Sequence, residues 1–210
     1  MTVPPPPSPF EPINTLNLPA GTALHRIHAS TYGGDQFNPC QGGPTRFAPI
    51  YDPPGTCIPT IYAAETPEAA VFETVFHDVP ANATLKAVAL TKVLSRSHSI
   101  VEVARPLLLA KLFAPDLKAL GVTRQQVTET LPAHYAATAA WAVAFHRTRA
   151  DIHGLVWTSN QCDPQQAYVL FGDRISSGAL SVVSTRNAAS DISLVSDIHQ
   201  FGRRAGITLT

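Results

Sequence analysis

Residues 58–78 read IPTIYAAETPEAAVFETVFHD, and this stretch sets the fold class. Its first part, Ile58 to Ala64, is short, apolar and rich in β-formers, which predicts a strand. Thr66-Pro67-Glu68 then reads as a helix start, with threonine as N-cap, proline at the first helical position and a carboxylate near the positive end of the dipole. The pattern predicts a helix from Pro67 to about Asp78, stopped by Pro80. Ala69, Phe72, Val75, Phe76 and Val79 form its apolar stripe, and Glu73 falls at the stripe's edge beside the small Ala69 and Ala70. By periodicity alone Glu73 is an ordinary helix-surface glutamate; the small neighbours leave room for a ligand to approach it.

Outward from this stretch, Ala23–Ala29 predicts a strand that places Leu24, Arg26 and His28 on one face and His25, Ile27 and Ala29 on the other. Arg26 there is either a paired structural arginine or a fork for two phosphate oxygens. Residues 31–57 are crowded with Gly, Pro, Asn and Asp and read as a long irregular loop, of the kind that carries function or is disordered. Within it, Arg46 follows the glycine pair Gly42-Gly43, where backbone can come close to a ligand. Tyr62 ends the strand before the Glu73 helix and would stack on a flat ring or fill the core.

Further along, Leu85–Leu94 and Ile100–Val103 predict strands. Leu107–Leu120 is helical in pattern, interrupted near Pro115 and closed by Gly121. Thr123–Thr130 reads as a short helix and Ala133–Arg149 as a long one. Asp151 and Gly154 make a turn, Leu155–Ser159 and Ala167–Phe171 are buried strands, and Leu180–Ser184 and Ile192–Val195 are final strand candidates. Ser159 thus ends a buried strand beside a polar loop, a frequent ligand position. The reading is α+β, with strands clustered toward both ends and helices between.

Composition bounds the rest. At 210 residues, 45% of them hydrophobic, the chain is one domain with a full core. Residues 1–20 hold seven prolines, which predicts an extended arm, mobile or lying across the domain or a second subunit, with the domain proper at 21–210. A net charge of +0 argues against binding nucleic acid by broad phosphate neutralisation, but leaves room for a local basic pocket. The low charge content, 14%, suggests an apolar face covered by a partner, which leaves a homodimer open. Three cysteines match no metal motif, and reduced thiols in a cytoplasmic protein are the expectation. The eight histidines form no metal-binding pair, and no secretory leader is expected. No apolar run approaches the ~20 residues of a membrane span. There is no nucleophile elbow around a serine and no Gly-rich nucleotide fingerprint.

The ordered set of Arg26, Gly42-Gly43 followed by Arg46-Phe47, Pro54-Gly55, Tyr62, Glu73, the helix Ala133–Arg149, the run Gly154–Ser159 and Tyr168–Phe171 resembles the RES-domain family, named for Arg, Glu and Ser. The resemblance spans about residues 21–175. The family often has Gly-Gly-Arg-Trp; here Pro44 and Thr45 are inserted and Phe47 replaces tryptophan, which leaves the register of Arg46 open. The resemblance implies an ADP-ribosyltransferase-like fold and a toxin of a bacterial toxin–antitoxin pair. It would degrade NAD as substrate by hydrolysis or phosphorolysis, with no other cofactor, or transfer ADP-ribose to protein, and its partner would be a Xre-like antitoxin. On that basis Glu73, Arg26 and Ser159 are the catalytic candidates. Glu73 would stabilise positive charge on the ribose, Arg26 with Arg46 would grip the pyrophosphate, Tyr62 would pack on nicotinamide or ribose, and Ser159 would bond the ribose or a phosphate. A catalytically silent nucleotide- or protein-binding module is the alternative, as is a structural protein that offers the Pro-rich arm as a ligand.

Overall fold

The computed structural model describes residues 2–210. In chain order the elements are β1 (Thr15–Leu18), β2 (Ala23–Ala29), β3 (Ile50–Tyr51), β4 (Cys57–Ile58), β5 (Thr60–Ala64), α1 (Pro67–Phe72), β6 (Ala87–Val88), α2 (Leu90–Leu94), β7 (Arg96–Val103), β8 (Leu107–Lys111), α3 (Ala114–Ala119), α4 (Arg124–Val127), α5 (Tyr135–Thr148), β9 (Gly154–Thr158), β10 (Gln166–Phe171), β11 (Leu180–Asn187), α6 (Ile192–Arg204) and β12 (Thr208–Leu209). Eight strands form one curled mixed sheet in the order β1-β8-β9-β10-β5-β2-β7-β11, with helices flanking it.

Where the site lies follows from the ladder. β10 pairs β5 over five residues and β2 pairs β7 over seven, but β5 and β2 share only the pair His25↔Ala64. The sheet therefore splays between β5 and β2, and the segment between β2 and β5 folds over the gap. Gly154 opens β9 rather than sitting in a turn. A Cβ there would lie 2.2 Å from the Val169 carbonyl, so only glycine lets β9 and β10 approach this closely.

The Pro-rich arm lies across the domain. Thr15–Leu18 pairs with β8 as an edge strand, Phe10 packs edge-on against Trp141 and Phe145, and the Trp141 indole donates to the Pro4 carbonyl. Burial of Phe10 and Trp141 makes the arm part of the core.

Four segments depart from the sequence expectation. Leu107–Lys111 is a strand, not the first half of a helix: its leucines favour helix, but neighbours on both edges, β1 and β9, take it into the sheet. Only Ala114–Ala119 of that region is helical. In Leu85–Leu94 just Ala87–Val88 is strand, and Leu90–Leu94 is a helix. Ile192–Val195 begins α6 instead of a strand; the Asp191 carboxylate accepts from the Ser193 and Leu194 amides, a cap that outweighs the β-branched residues after it. Finally, the helix after Thr66 is capped as expected but ends at Phe72, so Glu73 is its C-cap residue.

The cysteines also differ from expectation. Cys40 and Cys57, 17 residues apart, form a disulfide, and Cys162 is a buried free thiol. The folded loop brings together two cysteines whose spacing suggests no pairing.

Candidate active site

The cleft at the β5–β2 splay has a volume of about 530 Å³, within the usual range for a small-molecule site. It is lined by β2, the covering loop, β5, the end of α1 and the start of α5. Arg26, Arg46, Tyr62 and Glu73 all line it.

Glu73 is held in place. Its position at the α1 C-cap directs the side chain toward the loop after β9, where Ser159 Oγ donates to Glu73 Oε1 at 2.5 Å and the Asn160 amide donates to the same oxygen at 3.0 Å. The other oxygen, Oε2, lies 3.9 Å from the Arg46 guanidinium. The side chain is 14% exposed, so these donors offset part of the cost of desolvating the carboxylate. One oxygen is fastened and the other faces the Arg46 guanidinium.

Ser159 is fully buried. Its hydroxyl donates to Glu73 and accepts from the Gln161 and Cys162 amides, at 3.2 and 3.0 Å. Its donor and both lone pairs are therefore used. This serine closes a turn and aims the carboxylate, and it is not among the residues lining the cleft.

Arg46 is 5% exposed. Its main-chain carbonyl accepts from Thr138 of α5 at 2.5 Å, which ties this part of the loop to the helix. The guanidinium lies 5.6 Å from the centroid of the Tyr135 ring, and its Nε is buried without a hydrogen-bond partner. A buried cation this short of partners is costly unless an anion completes it.

Arg26 is in a different state. Its Nη1 donates to the carbonyls of Gly33, Gly34 and Gln36 at 3.1, 2.8 and 2.9 Å. Burial pulls this guanidinium down to about 10, against the nearby Asp35 carboxylate, so it stays charged at neutral pH. It fastens the first turn of the covering loop.

Tyr62 likewise secures that loop. Its hydroxyl accepts from the Phe47 amide at 2.9 Å and bonds the Thr45 hydroxyl at 3.0 Å, while its ring meets Trp157 edge-on. Burial pushes the phenol up to about 12, so it remains protonated.

The structure adds residues absent from the sequence reading. Arg96 lines the cleft from β7, and its Nε is also buried without a partner. Tyr135 bonds His77 Nε2 at 3.0 Å, and His77 Nδ1 lies 2.9 Å from Asp78 Oδ1. A strand-end arginine and a tyrosine opening an alanine-rich helix carry no local motif; only the fold joins them to Glu73. Among the described residues no cluster of three metal-ligating side chains occurs, and no helix is long and apolar enough to cross a membrane.

The fold is shared with a solved toxin. The structure of the M. tuberculosis MbcT–MbcA toxin–antitoxin complex matches with a TM-score of 0.60 at 15% identity, over 87% of this chain and 91% of that one. No curated protein matches the sequence. The RES domain matches residues 23–194, a span that includes Arg26, Arg46, Tyr62, Glu73 and Ser159. The chain therefore belongs to the RES-domain family.

Proposed function

We propose that this chain is the toxin of a toxin–antitoxin pair, and that its cleft binds NAD and breaks the nicotinamide–ribose bond. The observation that carries the reading is a charge imbalance in a protein of zero net charge. Three arginines, Arg26, Arg46 and Arg96, line the cleft against two carboxylates, Glu73 and Asp78. Two of these arginines have buried Nε atoms without partners. A pyrophosphate would balance the cationic excess of the cleft, and guanidinium groups match its oxygens in pairs.

The chemistry follows from Glu73. Loss of nicotinamide builds positive charge on the ribose carbon as the bond stretches, and a fixed carboxylate stabilises that charge. Ser159 and the Asn160 amide fix one Glu73 oxygen before substrate arrives, so little reorganisation is needed at the moment of cleavage. Arg46, beside the free oxygen, takes the nearer phosphate. Arg26 acts mainly through the loop it fastens. The RES-domain match and the toxin–antitoxin neighbour support the toxin assignment, and an antitoxin of the Xre-like kind would be the partner.

A time course of NAD with the purified protein tests this reading, with chromatography of the products. Catalytic release of nicotinamide is expected, accompanied by ADP-ribose or ADP-ribose phosphate. Label transferred from NAD to protein would make the chain a protein ADP-ribosyltransferase. Unchanged NAD would contradict the reading.

A further inference from the structure

Tyr135 opens α5 inside the cleft, with its hydroxyl 3.0 Å from His77 Nε2. His77 Nδ1 in turn lies 2.9 Å from Asp78 Oδ1. A neutral imidazole that gives its Nδ1 proton to Asp78 has Nε2 free as an acceptor, so the phenol donates to it. Tyr135 is buried, while the Asp78 side chain is 72% exposed. The three groups form a hydrogen-bonded chain from the cleft wall to solvent. Arg46 touches both this chain, at the Tyr135 ring, and Glu73. The chain is therefore next to the place where positive charge would build.

Phenol, imidazole and carboxylate in that order can remove a proton, and whether one must be removed depends on the acceptor. A phosphate dianion already has an unprotonated oxygen, so its attack releases no proton. Water must lose one. We propose that Tyr135, His77 and Asp78 are a proton relay that lets water act as the acceptor in this cleft, which rests on the NAD-cleaving reading above. In the step, the water oxygen bonds to the ribose carbon as that carbon's bond to nicotinamide breaks. The bonding pair goes to the ring nitrogen, which becomes neutral. The water proton passes to the Tyr135 oxygen as the phenol's own proton moves to His77 Nε2, and the imidazolium beside Asp78 releases a proton to solvent. The sum is NAD plus water giving ADP-ribose, nicotinamide and one proton.

Two variants isolate the relay. Tyr135→Phe keeps the ring under Arg46 and removes only the hydroxyl. His77→Gln keeps a hydrogen-bond acceptor near the phenol but cannot carry a second proton. The full-length protein and both variants would be incubated with NAD, with and without inorganic phosphate, and ADP-ribose and ADP-ribose phosphate quantified separately. In both variants ADP-ribose formation should fall about 10²-fold, the scale of general-base catalysis, with any phosphate-dependent product changed by less than about threefold. A parallel loss of both products would reduce the three residues to structural parts. Unchanged ADP-ribose formation would remove the relay, and so would a wild-type protein that yields only ADP-ribose phosphate. Absence of nicotinamide release by wild type in either buffer would instead sink the cleavage reading itself.

Discussion

Two arginines line the cleft in opposite conditions. On the β2 wall, Arg26 gives one nitrogen to three loop carbonyls. In the covering loop, Arg46 has no hydrogen bond from its guanidinium among the described residues; its carboxylate contact is 3.9 Å away and its Nε is orphaned. A guanidinium tied to several carbonyls of one turn is a fastening. One left short marks where a ligand finishes the structure.

Breaking the reactive wall should have the largest effect. Glu73→Gln retains the shape and can still accept from Ser159 and Asn160, but loses the charge that opposes the developing cation. NAD cleavage should fall by about 10³-fold or more with the unfolding temperature nearly unchanged. A variant within tenfold of wild type would remove Glu73 from the chemistry.

The covering loop gives the next effect. Reducing the Cys40–Cys57 disulfide, or replacing both residues by serine, frees a loop of 17 residues and should cost about 3 kcal/mol of stability. Denaturation curves with and without reductant read this directly, and superimposed curves would contradict it.

The arginine pair then sharpens the contrast. Arg46→Ala should lower kcat/KM by about 10²-fold while leaving stability close to wild type, because the buried cation it deletes makes no hydrogen bond among the described residues. Arg26→Ala should cost roughly 2–3 kcal/mol of stability and raise KM as the turn at residues 33–36 loosens. Identical stability losses in the two variants would erase the distinction between them.

The smallest effect concerns the β7 side of β2. His98 stacks on His25, with Nε2 3.0 Å from His25 Nδ1. Burial, then the charges of His25, Arg186 and His28, hold the His98 imidazole down to about 4, with Asp197 opposing. A folded-state value below the ordinary 6.5 means that the unfolded chain takes up the proton more readily. The contribution is thus complete above 6.5 and is lost as pH falls toward 4. Melting temperatures across that window should decline, and less steeply in His98→Gln; parallel declines would assign the loss to other groups.

Much of this was readable from residues alone. The β2 strand falls at Ala23–Ala29 as expected, Thr66 caps α1, and Thr123 opens a short helix through a capping box with Gln126. These features depend on local chemistry. What the sequence could not show depends on contacts between distant segments: Leu107–Lys111 becomes a strand because two neighbours pair with it. Ser159 stood out by its place at a strand end, but its bond to Glu73, 86 residues away, depends on the fold. Arg96 and the Tyr135–His77 pair carry no motif of their own.

The central claim is that one dinucleotide lies in this cleft, its nicotinamide ribose at Glu73 and its pyrophosphate on Arg46. A crystal structure of the Glu73→Gln protein with NAD tests this most directly. The account predicts intact NAD in the cleft, with a ribose hydroxyl or C1 next to residue 73 and phosphate oxygens on the Arg46 guanidinium. NAD bound outside the cleft, or a cleft left empty at saturating NAD, would contradict it.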